Sequence, residues 1–267
     1  MGEWMRSLLL FISMMITVFS QGYDFSKYEE LLQTHVDDFG RVKYKALAQN
    51  FKDELKSEVD KARKYNPKDY PKLYQTKNDE FAYWINLYNH IVLNEVVQHY
   101  PIKSINDIPN VWKKKQTIGS LKLSLDEIEH EVLRKQFVED PRFHFALICA
   151  SYSCPKLQKF VYKGSKLSEQ FNQISMEFYN NQLTFDLDKK NKAIYVSKIF
   201  DWYNPDFNVA SLKKEAFKDE EVYKKEVIKT YLIKNAPAEI GQFIEQHKRD
   251  IKVTLMEWHW RLNESVY

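Results

Sequence analysis

Apolar positions along this chain recur with two periods, and the switches between them mark the elements. Tyr28, Leu31, Leu32 and Val36 keep the three-to-four spacing of an amphipathic helix over residues 23–36. Asp37-Asp-Phe-Gly40 ends it, residues 42–44 look extended, and residues 46–65, rich in Lys and Glu, return to helix until Asn66-Pro67 and Tyr70-Pro71 break the chain. Residues 77–99 are apolar on most of the helical circumference, which predicts a helix buried at the domain centre and ended by Tyr100-Pro101. Gly119-Ser120 lies between short apolar pieces and reads as a hairpin turn, after which Ser124 or Asp126 caps a helix over residues 127–137. Residues 161–179 are mostly helix, with Leu167, Phe171, Ile174 and Phe178 in period. Residues 183–187 and 193–196 form a hairpin around Asp188-Lys-Lys-Asn191, and helices run on to a last strand at residues 251–255.

One stretch stands apart. Residues 143–149 are apolar except for His144, bounded by Asp140-Pro141 and by Ser151-Tyr-Ser-Cys-Pro155, a pattern that predicts a buried strand ending in a tight turn. Pro155 suits the first position of a following helix, which would set Cys154 at a helix N-terminus where the dipole favours a thiolate. Helical runs separated by hairpins, without regular βαβ alternation, predict a single mixed α+β domain with helices packed on a mainly antiparallel sheet. The helix containing Phe81 would lie against a sheet built from the 143–149 strand and the 183–196 hairpin.

The first twenty residues follow another rule. Arg6 precedes an apolar region over residues 8–19 that is short for a bilayer span, and Val18-Phe-Ser20 offers a peptidase site. Residues 1–20 therefore read as a signal peptide and residues 21–267 as one globular domain, exported to the periplasm or outside the cell, with no membrane span after cleavage. Among 267 residues, 40 are basic and 37 acidic, a formal charge of +3 without a concentrated basic face, which argues against nucleic acid as a partner. Seventeen Tyr and seventeen Phe favour an aromatic core and a groove for a small-molecule or peptide-like ligand.

The candidate chemistry is thiol chemistry. Cys154 as nucleophile and His144 as base come from one stretch, and they meet only if the backbone turns back sharply after Cys149. His90 and His259 are alternative bases. Glu80, Asn86, Asn89 and Asp201 are candidates to orient the imidazole or to donate to an oxyanion. Glu80, Asn86 and Asn89 stand among large apolar residues, so each needs a hydrogen-bonding role, structural or catalytic. This reading is a cysteine-dependent acyl-transfer or hydrolytic enzyme acting on an amide or thioester outside the cytoplasm. Export allows another: Cys149 and Cys154 form a structural disulfide in a secreted binding module whose groove is lined by aromatics of residues 81–88 and 200–203. A redox pair is a third reading, although the spacing is not C-x-x-C. Two cysteines and a histidine at this spacing lack the geometry of a zinc site, and no cofactor is expected.

Four motifs in order carry a family resemblance: Tyr83-Trp-Ile-Asn-Leu-Tyr-Asn89, the stretch from His144 to Leu157 with both cysteines, Ile199-Phe-Asp-Trp-Tyr203 with Asp206-Phe207, and Trp260-Arg-Leu-Asn263. Together they resemble the domain-of-unknown-function family 547 over about residues 42–263. The resemblance implies a shared fold and site more than a reaction, in a family of exported bacterial proteins and of plant proteins with an added coiled coil. This sequence departs from it at Trp258-His259, where the family usually shows Tyr-Asp.

Overall fold

Helices α1 (Ser26–His35), α2 (Tyr44–Asn50) and α3 (Lys52–Ala62) lead into the longest, α4 (Lys77–His99). The structure is a computed structural model that describes residues 22–265 except Val138; the leader-like residues 1–20 lie outside the described residues. Helix α4 starts where Thr76 and Asp79 form a capping box: Thr76 Oγ1 accepts from the Asp79 N–H at 3.2 Å and Asp79 Oδ2 accepts from the Thr76 N–H at 2.9 Å. No Gly or Pro interrupts it, and it is buried continuously from Phe81 to Val97. It packs against α2, α3 and a widened helical stretch at Ile128–Leu133.

A buried helix has no water to satisfy polar side chains, and α4 spends its amides on irregular backbone. Asn86 donates to the Tyr162 carbonyl and accepts from the Tyr162 N–H, both at 2.8 Å. Asn89 donates to the Ala146 carbonyl at 2.8 Å and accepts from the Ile148 N–H at 3.0 Å. Two segments that lack strand or helix partners are thereby fastened to the central helix.

The first hairpin pairs β1 (Gln116–Ile118) with β2 (Leu121–Leu123), and Gly119 turns it at φ +56°. Ser124 caps the next helical run, made of α5 (Leu125–Glu127), the π-helical stretch Ile128–Leu133, and α6 (Arg134–Gln136). Helix α7 (Leu167–Tyr179) precedes β3 (Phe185–Asp188), which pairs antiparallel with β4 (Ala193–Val196). After α8 (Ile199–Trp202), α9 (Glu220–Asn235) and α10 (Ala238–Gln246), β5 (Lys252–Leu255) adds to β4 in parallel. The architecture is α+β, mostly helical, with two small and mainly antiparallel sheets. Among the described residues no helix is long and apolar enough to cross a membrane.

Two expected elements are absent from their places. Residues 143–149 are not a strand: Pro141–Phe145 is a 3₁₀ turn begun by Asp140, whose Oδ1 accepts from the Arg142 N–H, and the backbone then runs on irregularly. Phe143, Phe145 and Ile148 are nonetheless buried, with Phe145 stacked on Phe178 at 4.0 Å. A short apolar run says that a segment is buried without saying in which conformation, and here Asn89 takes the backbone groups that a neighbouring strand would have taken. Nor does a helix follow Pro155, since residues 155–160 are loop. The sheet accordingly lacks the 143–149 strand, and it packs against α7 while α4 packs against helices. The 46–65 helix is divided at Phe51, and the 161–179 helix begins at Leu167, since Asn86 takes both backbone groups of Tyr162.

Candidate active site

The irregular segment that Asn89 fastens leads directly to Cys149. The next residue, Ala150, sits at φ +53°, a left-handed conformation that costs an alanine about 1 kcal/mol and is held by the fold around it. Its carbonyl accepts from the Asn263 N–H at 3.0 Å, and the Tyr152 N–H donates to the Arg261 carbonyl at 2.7 Å. The Asn263 side chain is itself tied, accepting from the Tyr44 hydroxyl and donating to the Gly40 carbonyl. The C-terminal segment thus clamps the kink, and the turn closed by the Cys154 N–H on the Ser151 carbonyl brings the second cysteine back.

Both cysteines are free, and their sulfurs lie 2.7 Å apart, Cys149 Sγ donating to Cys154 Sγ. The Cys149 N–H donates to Cys154 Sγ at 2.7 Å, and Ser151 Oγ lies 3.0 Å from Cys149 Sγ. Burial pushes both thiols up. For Cys149 burial is the largest influence, but its hydrogen bonds with Cys154 and Ser151 together outweigh it and bring the thiol below its ordinary value. For Cys154 burial dominates and its pKa is raised well above it. Cys154 is buried and begins no helix, so the dipole expected to acidify it does not exist; Cys149 is half-buried and is the more acidic of the pair.

Cys149 and Cys154 line a cavity of about 270 Å³ together with His144. His144 Nε2 lies 2.9 Å from Asp206 Oδ2, and Arg134 grips the same carboxylate bidentately at 2.7 and 2.8 Å. Burial works against the Asp206 carboxylate, but the hydrogen bonds of Arg134 and His144 overcome it and hold the pKa at about 2. Burial lowers the His144 pKa despite that carboxylate, so the imidazole is neutral at pH 7. With an ionised acceptor on Nε2, the proton belongs there and Nδ1 is the basic nitrogen. The ring is fixed further by stacking on Tyr203 at 4.0 Å.

The rest of the lining is acidic and aromatic. The π-helical stretch brings Glu129 into the cavity, where its Oε2 accepts from the Tyr88 hydroxyl at 3.0 Å; such widened turns recur at functional sites. Trp202, Trp258 and Trp260 form one wall, with ring centroids 4.7 to 6.2 Å apart. The Trp258 indole N–H is buried without a hydrogen-bond partner. Among the described residues no group of three His, Cys, Asp or Glu side chains is placed to hold a metal ion.

Of the residues singled out in the sequence, His144, Cys149 and Cys154 meet in the cavity, while Asn86, Asn89 and Glu80 are not in its lining. The two asparagines give their amides to backbone at Tyr162, Ala146 and Ile148, and Asn89 acts on the site through the segment it holds. His90 is in the core, His259 is exposed, and Asp201 pairs with Lys224. Arg134 and Glu129 carried no motif, although Asp126, Glu129, His130 and Arg134 recur at helical spacing and could have been read as one polar face.

Residues 72–179 match the family model described as "Protein of unknown function, DUF547". The matched segment holds α4, the π-helical stretch and both cysteines, and it ends before Asp206 and the tryptophan wall. No curated protein and no solved structure matches the sequence.

Proposed function

We propose that the DUF547 segment, together with the residues between it and the C-terminus, forms a cysteine-dependent acyl-transfer or hydrolytic site. Cys149 is the nucleophile, His144 the acid–base group and Asp206 the residue that orients it. The observation that carries this reading is the acidified, half-buried thiol of Cys149 in the same cavity as a neutral imidazole whose far nitrogen is anchored by a buried carboxylate. His144 Nδ1 takes the thiol proton as Cys149 Sγ bonds to the acyl carbon. The Trp258 indole N–H, otherwise unpartnered, is a donor for the oxygen that becomes negative. When the intermediate collapses, the bond to the amide nitrogen or thioester sulfur breaks and the imidazolium returns its proton to that leaving group. Water or another acceptor then gives a proton to His144 Nδ1 as it bonds to the acyl carbon, the Cys149 Sγ–acyl bond breaks, and the proton returns to the Cys149 thiolate. The leader-like first twenty residues support action outside the cytoplasm.

The test is the rate of thiol alkylation against pH in the wild type and in Cys149→Ser and Cys154→Ser. The fast thiol is expected to vanish in Cys149→Ser, to persist in Cys154→Ser, and to reach its plateau at a pH below that of an ordinary thiol, about 8.5. A fast thiol lost only in Cys154→Ser would overturn the assignment. No free thiol before reductant is added would favour the disulfide-stapled binding module.

A further inference from the structure

The charges in the cavity do not balance. Glu129 is 9 % exposed and Asp126 half-buried, and among the described residues neither forms an ion pair. No Lys or Arg lines the cavity. Arg134 is the guanidinium within electrostatic reach of Glu129, but its Nε and one terminal nitrogen go to Asp206 and the other terminal nitrogen lies 3.2 Å from His130 Nδ1. His130 Nδ1 is thus occupied by that guanidinium, and the buried His144 is neutral. Lys113 is within electrostatic reach of Asp126 and stays outside the lining. Glu129 is served by the hydroxyls of Tyr88 and Tyr203 and, among the described residues, by no ion pair, so it lacks the counter-charge that burial ordinarily demands. The same cavity is lined by Trp202, Trp258 and Trp260, and electron-rich ring faces attract cations.

We propose that this cavity is a binding site for an alkylammonium group carried by the substrate, held between the carboxylates of Glu129 and Asp126 and the tryptophan wall. The volume is at the small end for ligand pockets, which suits a head group with its adjoining acyl carbon rather than a whole polymer segment. That the cation belongs to a substrate rests on the acyl-transfer reading; the binding of the cation does not.

Cys149 in the full-length protein is a reporter for the test. Methanethiosulfonates carrying trimethylammonioethyl, sulfonatoethyl or methyl groups are compared by their labelling rates at Cys149, each divided by its rate with a free thiol. The cationic reagent is expected to be favoured over the methyl reagent by about tenfold, with the sulfonate slowest. Glu129→Gln should remove that preference while leaving methyl labelling within about twofold. In Cys149→Ser, tetramethylammonium and butylammonium should each be tried as saturable quenchers of tryptophan fluorescence against neutral 3,3-dimethylbutanol. The stronger of the two ions tells whether the natural nitrogen is quaternary or primary. Equal normalised rates for all three reagents together with no saturable quenching would overturn the ammonium site. A Cys149 that resists every reagent while ammonium quenching persists would overturn the nucleophile and leave the ammonium site standing.

Discussion

His90 and His144 are both buried, and the difference between them shows that burial alone does not make a site. His90 lies on α4 in the core, stacked on Tyr28 with centroids 4.0 Å apart, and among the described residues its ring nitrogens find no hydrogen bond of good geometry, the Leu55 backbone being a weak partner at most. Burial lowers its pKa from 6.5 to about 3, and the ring serves as a flat packing group. His144 is as deeply buried, but it sits on irregular backbone at a cavity, with one nitrogen bound to a carboxylate that a guanidinium holds ionised. The second environment sets the tautomer and leaves a basic nitrogen; the first gives the ring no ionised acceptor.

The largest expected effect tests the second environment. Asp206→Asn should lower turnover of a thioester probe by about a thousandfold, because the anchored tautomer of His144 is lost. His90→Leu should leave that turnover within about twofold. Comparable losses in both variants would erase the distinction between the two rings.

The next effect belongs to His90. Its pKa is depressed in the folded state, so the unfolded chain takes up a proton below pH 6.5 that the folded protein refuses until about pH 3. The stability from keeping His90 neutral is therefore complete above pH 6.5 and is lost as the pH falls towards 3, by about 4 kcal/mol over that window. Denaturant unfolding of wild type and His90→Leu across pH 7 to 4 should show the variant losing less stability on acidification. Parallel curves would mean that the ring finds a proton partner in the fold. Asp206 acts with the same sign at lower pH, since its carboxyl is held at about 2.

The smallest of these effects distinguishes two amides of one helix. Asn86→Ala and Asn89→Ala should each cost about 2–3 kcal/mol, because each leaves a backbone N–H and a carbonyl unpaired in the interior. Only Asn89→Ala should also slow alkylation of Cys149, since only Asn89 holds the segment that leads to it.

The helix bearing His90 is legible in the amino-acid sequence. Its extent follows from an unbroken apolar circumference and a terminal proline, both local, as is the Thr76–Asp79 cap that the structure adds, and the two hairpins are local in the same way. The segment bearing His144 misleads for a physical reason. Its burial is legible in its apolar positions, but its conformation depends on which group satisfies its backbone, and that group, Asn89, lies 57 residues from Ala146. Which cysteine is acidic is hidden similarly, because the pKa of each depends on Ser151, on the other thiol and on the absence of a helix after Pro155.

By itself the sequence determined the central helix, the hairpins, the α+β class, the family match of residues 72–179 and the stretch in which thiol and imidazole come together, since each rests on periodicity or on near neighbours. Only the tertiary structure decided that Arg134 and Asp206, 72 residues apart, would anchor His144, that Cys149 would be the acidic thiol, and that unpaired carboxylates would share a cavity with three tryptophans. Electrostatic and hydrogen-bond energies depend on distance in space and on exclusion of water, and neither is written in the order of residues.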